Sequence, residues 1–179
     1  MNAIASTAAT TAATTAVERA WEILEQVPDP EIPVVSIREL GILREISEHD
    51  GAIEVVITPT YSGCPAMGQI EDDVRSAMAA HGMAVKVVMR LAPAWTTDWI
   101  SEEAKEKLRA YGIAPPHTVQ QPERVVRFRS QRGKPAQDVA CPNCGSGNTT
   151  ETSHFSSTAC KALYKCLDCL EPFDYFKPY

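Results

Sequence analysis

No stretch of this chain is apolar for long enough to cross a bilayer, which takes about 20 consecutive apolar residues. Basic charge is short as well: 17 Lys and Arg stand against 23 Asp and Glu, for a formal charge of −6. A net acidic chain is a poor non-specific nucleic-acid binder, because attraction to phosphate needs clustered Lys and Arg. A Gly-rich dinucleotide fingerprint is absent, and so is a helical Glu-x-x-His pair of the kind that holds two irons. Both absences count against a flavin, nicotinamide or di-iron enzyme. The histidines are His49, His81, His117 and His154, and none sits in a recognisable protease or amidase motif, so a Cys–His hydrolase lacks an evident base. Met1 to Ala16 carries no side-chain charge and is almost all Ala and Thr. A secretory signal needs a basic start and a strongly apolar stretch, and neither is there. The expectation is a disordered tail over 1–16, with a frayed helix as the alternative, on a cytoplasmic protein.

What is there suits one ordinary domain and one small one in 179 residues. Segment 17–112 reads as an α/β (α+β) unit. Val17, Ala20, Trp21, Leu24 and Val27 recur at helical spacing, and Asp29-Pro30-Glu31-Ile32-Pro33 stops that helix. Ile42–Ile46 and Ile53–Thr58 read as strands joined by a His49-Asp50-Gly51 turn. Met67, Ile70, Val74, Ala77 and Met78 mark a helix ending near Gly82. Val85, Val87, Met89 and Leu91 give a third strand, and Ser101 caps a last helix that Gly112 ends. The order α-β-β-α-β-α predicts a small mixed sheet with helices on one face. Segment 113–138 holds Pro115, Pro116, Pro122 and Pro135 with five basic residues and reads as a linker, with a short strand over Val125–Phe128. It lacks interleaved aromatics for base stacking. Segment 139–179 is too short for a conventional core and needs a staple.

The cysteines supply one. Cys141-Pro142-Asn143-Cys144-Gly145 and Cys166-Leu167-Asp168-Cys169 are two Cys-x-x-Cys knuckles, separated by 21 residues. Reduced thiols in that pattern hold metal more often than they form disulfides. Zinc on four sulfurs is the default, in a closed structural site of a small β-rich ribbon, and rubredoxin-like iron is the alternative. His154 is a substitute ligand that a complete four-sulfur shell does not need. Cys160 belongs to neither pair; as a sequence feature it suits a small buried residue as well as a functional one.

Cys64 stands apart. It follows the second strand and precedes Pro65, a residue suited to the first helical position. A helix starting there would aim its positive end and free amides at the sulfur, so the thiol is expected to ionise more easily than a free one. Asp29 and Glu31 are acids in a Pro-rigid loop, available for acid/base or metal-tuning work or for simply capping the turn.

Asp29-Pro30-Glu31-Ile32-Pro33, Glu39-Leu40-Gly41-Ile42 and Thr58-Pro59-Thr60-Tyr61-Ser62-Gly63-Cys64-Pro65 resemble the iron–sulfur assembly domain of SufT-like proteins, over about 15–112. The tail, from Ser153 through Cys160-Lys161-Ala162 to Glu171-Pro172-Phe173-Asp174-Tyr175-Phe176-Lys177, extends the likeness to the PaaD-like family of phenylacetate catabolism. That resemblance implies a non-catalytic accessory of the phenylacetyl-CoA epoxidase complex, helping to mature its iron–sulfur reductase component. It implies iron or cluster handling at Cys64, beside the acidic loop of Asp29 and Glu31, with iron or an iron–sulfur cluster held transiently. Cys141, Cys144, Cys166 and Cys169 would keep structural zinc. An adaptor role in the oxygenase complex without cluster chemistry is the other reading, a homodimer is one option for its assembly, and neither membrane nor nucleic acid is expected as a partner.

Overall fold

The computed structural model describes residues 15–49, 51–117 and 139–179. Most of the expected tail, Asp50 of the hairpin turn, and 118–138 with the linker arginines and the Val125–Phe128 strand lie outside the described residues.

Thr15 and Ala16, assigned from sequence to the tail, instead open helix α1 (Ala16–Leu24). The reason is a capping box: the Thr15 hydroxyl accepts from the Glu18 amide while the Glu18 carboxylate accepts from the Thr15 amide. Strands β1 (Leu43–His49) and β2 (Ala52–Ile57) pair antiparallel, and β3 (Val85–Met89) lies parallel to β2, giving the mixed sheet β1-β2-β3. Helix α2 (Met67–Ala80) buries Met67, Ile70, Val74 and Met78, the stripe its spacing requires. That stripe shares one core with Ala20 and Leu24 of α1 and with Ile53, Val55 and Ile57 of β2. Helix α3 (Glu102–Ala110) is capped by the Ser101 hydroxyl, which accepts from the Ala104 amide.

Gly41 shows why the Glu39-Leu40-Gly41-Ile42 turn takes the residue it has. Its φ is +70°, and a Cβ there would lie 2.6 Å from the Trp99 Cβ and 2.8 Å from the Trp99 carbonyl oxygen. Any side chain would therefore suffer both left-handed strain and a clash with backbone.

The second sheet runs β4-β7-β6-β5, from β4 (Ile113–Ala114), β5 (Thr149–Ser153), β6 (Lys161–Cys166) and β7 (Pro172–Phe176). Ile113 and Ala114, the first residues of the expected linker, thus pair in parallel with Asp174 and Tyr175. Ala114, Val139, Tyr164, Phe173 and Tyr175 form this sheet's own small core around Cys141 and Cys166. Ile113 and Phe176 of this sheet, and Cys160 just ahead of β6, face elsewhere and are buried in the core of the first unit. The Phe176 ring lies 6.0 Å from that of Trp95, whose indole N–H donates to the Leu40 carbonyl at 2.9 Å. The Thr97 amide donates to the Tyr179 carbonyl at 3.3 Å, tying the last residue to the first unit. Burying Phe176 there contributes roughly 1.5–3 kcal/mol.

Candidate functional site

The ribbon sulfurs come together as their spacing requires. Each Cys-x-x-Cys turn presents two sulfurs, and the antiparallel pairing of β5 with β6, Thr149 opposite Cys166, brings the knuckles face to face. The four Sγ atoms lie within 4.8 Å of one another. Cys141 and Cys169 are 3.8 Å apart, and Cys144 and Cys166 are 3.6 Å apart. A tetrahedral ion about 2.3 Å from four sulfurs sets them about 3.8 Å apart, so the residues fit zinc. Supporting contacts surround them: Gly145 turns with φ +75°, its amide donates to the Cys141 carbonyl at 2.9 Å, and Asn148 donates to Asp168 at 2.7 Å. The Cys166 thiol is held down to about 7, chiefly by the Cys169 amide with help from that of Asp168. Such a thiol gives up its proton to a metal readily. His154 takes no part in this cluster; its ring pairs with Glu151 at 3.2 Å.

Cys64 lies at the other centre, in the loop between β2 and α2. The helix begins at Met67 with Ala66 as its cap, two residues later than Pro65 would suggest. The expectation of an easily ionised thiol is overturned. Burial pushes the Cys64 thiol above its ordinary range, and the Ala66 amide only partly opposes it. The nearby Asp29 and Glu31 carboxylates add to the rise, while the Thr60 hydroxyl opposes it. One helix turn's amides do not offset half-buried surroundings that hold two acids.

Asp29 belongs to this centre. Its Oδ1 accepts from the amides of Glu31 at 2.9 Å and Ile32 at 2.8 Å, the geometry of a side-chain-closed turn. The carboxyl is 5% exposed, and burial pushes its pKa above the ordinary carboxylate value despite those two bonds. Glu31 is exposed, at the rim. Asp29, Glu31 and Cys64 line one small cavity together with Thr60, Thr158, Cys160 and Phe176. Sequence reasoning did not place Cys160, Thr158 or Phe176 there. The one available signal was negative: Cys160 is a ribbon cysteine that the four-sulfur shell leaves over. A wider groove between α1 and α2 is lined by Arg19, Glu22, Asp73 and His81 and holds no thiol.

Comparison with known proteins follows the same division. Residues 17–89 match the family model described as "Iron-sulfur cluster assembly protein", and residues 127–177 match "PaaD zinc beta ribbon domain". The chain is 46% identical over 162 residues to an Escherichia coli protein named as a putative subunit of 1,2-phenylacetyl-CoA epoxidase, a match covering 90% of this chain and 92% of that one. A Porphyromonas gingivalis protein named "Fe-S protein maturation auxiliary factor" is 37% identical over 89 residues, covering 48% of this chain and 84% of that one. Among solved structures, a domain of unknown function, DUF59, from Bacillus anthracis is similar at 28% identity and a TM-score of 0.48, covering 51% of this chain and 90% of that one.

Proposed function

The chain belongs to the PaaD family, that of the Escherichia coli epoxidase protein, and on that premise we propose that it is an accessory maturation factor rather than an enzyme. In this reading it assists assembly or insertion of an iron–sulfur cluster in the reductase component of a phenylacetyl-CoA epoxidase complex. Iron is its cargo, and Cys64 is the group that takes it, with Asp29 beside it and Glu31 at the rim. Zinc on Cys141, Cys144, Cys166 and Cys169 is a structural cofactor that keeps the ribbon folded.

The observation that carries this reading is a thiol and a buried carboxyl converging on one cavity, inside the segment that matches the iron–sulfur assembly model. The pairing suits a cargo site because iron binding displaces the thiol proton and brings positive charge to a place where burial disfavours bare anions. The test is the client. In cells carrying Cys64→Ser, the reductase component is expected to accumulate without its cluster while zinc in this protein stays at one per chain. A reductase with full cluster content in that variant overturns the role of Cys64. The naming of the Escherichia coli relative as part of the epoxidase favours one further reading, a structural adaptor. The adaptor would co-purify with the epoxidase components in fixed ratio whether or not Cys64 is present.

A further inference from the structure

We propose that the ribbon is a lid on Cys64, hinged at Gly112 and latched through Tyr179, and that it lifts as one body when the site exchanges its cargo. This rests on the reading of Cys64 as the iron-handling group and adds how that site opens and shuts. The cavity at Cys64 has walls from both units. Asp29, Thr60 and Cys64 belong to the first, and Thr158, Cys160 and Phe176 belong to the ribbon. Shut, its volume of ≈ 20 Å³ is room for about one water-sized body. A client's thiol brought up to Cys64 needs more room than that, so a transfer between proteins requires the walls to part.

The way the ribbon is fastened suits such a motion. Its seat on the first unit is apolar: Ile113, Cys160 and Phe176 are buried there, with the Phe176 ring 6.0 Å from that of Trp95. Its polar latch is Thr97, which donates to the Tyr179 carbonyl from its amide at 3.3 Å and from its hydroxyl at 3.4 Å. Lys161, buried beside Cys160, pairs with Asp174 of its own sheet at 3.2 Å, so opening breaks no ion pair of that lysine. The latch and the wall move together, because the Tyr179 hydroxyl donates to the Ala159 carbonyl at 3.1 Å and the Lys177 amide donates to the Cys160 carbonyl at 2.9 Å. The ribbon also keeps a core of its own around Cys141 and Cys166, so lifting it does not unfold it. Gly112 joins α3 to β4 with φ +91° and open space where a side chain would stand, the kind of element-terminal position that absorbs a hinge rotation.

The test uses the full chain with its ribbon zinc in place and without oxygen. It follows alkylation of Cys64, located by mass spectrometry, with iodoacetamide and with the bulkier fluorescein maleimide. Each rate is divided by that of glutathione with the same reagent. In the wild type the two ratios are expected to be equally low, because both reagents wait for the same opening. A chain ending at Lys177, which lacks the latch, is expected to raise both ratios together by about tenfold, the worth of two hydrogen bonds. Phe176→Ala unseats the lid from its apolar side and should also raise both. Zinc at one per chain establishes that the ribbon is folded in each variant. Reaction of the wild type with iodoacetamide alone, a rise for that reagent alone, or ratios unchanged in both variants would overturn the lid. None of these outcomes involves iron, so full cluster content in the reductase component of cells carrying Cys64→Ser would remove the role of Cys64 and leave the motion standing.

Discussion

The ribbon sulfurs crowd within 4.8 Å of one another, with Cys141 and Cys166 buried and Cys144 exposed, whereas Cys64 sits half-buried beside carboxylates. Within the ribbon the protons are not treated alike: despite a backbone amide bond, burial and the fellow sulfurs push the Cys169 thiol up to about 12. At Cys166 the knuckle turns two amides toward the sulfur and the thiol falls to about 7. At Cys64 burial and the neighbouring carboxylates outweigh the Ala66 amide, and the thiol rises. The ribbon offers four sulfurs from two local turns, spaced for an ion before any arrives. The cleft draws its lining from a loop after α1, a loop before α2 and the turn ahead of β6. A preformed shell of four sulfurs suits permanent metal. In the reading proposed above, a cleft whose lining comes from separate elements suits a metal that comes and goes.

Three experiments bear on that contrast. The largest effect is expected from Cys166→Ser. Removing a ligand from a structural zinc site forfeits binding free energy of about 10–16 kcal/mol that is also folding free energy, so the ribbon should unfold. Zinc analysis and amide dispersion in NMR spectra would register it, with alkylation of Cys64 accelerating because Thr158, Cys160 and Phe176 no longer close the cleft. Retained zinc with a folded ribbon would erase the distinction between the two sites. Phe176→Ala should come next. It empties a fully buried site against Trp95 and should cost about 3–5 kcal/mol in denaturant unfolding while ribbon zinc persists.

The smallest effect, and the most specific, is expected from Asp29→Asn. Asparagine keeps an oxygen for the Glu31 and Ile32 amides and removes the buried charge. Folded Asp29 titrates above its unfolded value of 3.8, so between the two values the folded state holds a proton that the unfolded state has lost. Stability from this group is therefore full below 3.8, falls as pH rises through that window, and stays reduced above it. The variant should gain on the wild type over the same window, by about 1 kcal/mol or less at neutral pH. Unfolding measured at acid and neutral pH checks the sign. A variant that loses ground as pH rises would mean that Asp29 is stabilised as an anion.

The elements themselves were legible because their signals are local. The Met67–Met78 stripe, the alternation of Ile53, Val55 and Ile57, the Ser101 cap and both knuckles are read within a few residues of chain. Cys64 could be picked out by its place before α2. Its proton affinity could not, because that depends first on burial and then on Asp29, both set by the core rather than by the neighbouring chain. Cys160 escaped for the same reason. Nothing around it in sequence indicates that Phe176 and Tyr179 dock on Trp95 and Thr97 and carry the turn before β6 against the first unit. Thr15 and Ala16 were lost to the monotony of the Ala/Thr stretch, although Glu18 completes a capping box with Thr15.

The short strand β4 has a consequence for connectivity. Ala114 lies in the sheet of the ribbon, and Val139 is buried in the core of that same sheet. Both flanks of residues 118–138 are therefore anchored on the same body. With the flanks fixed, each doubling of the length between them would add only about 0.6 kcal/mol of closure entropy. Lengthening the chain between Ala114 and Val139 is therefore expected to leave Cys160 and Cys64 where they are.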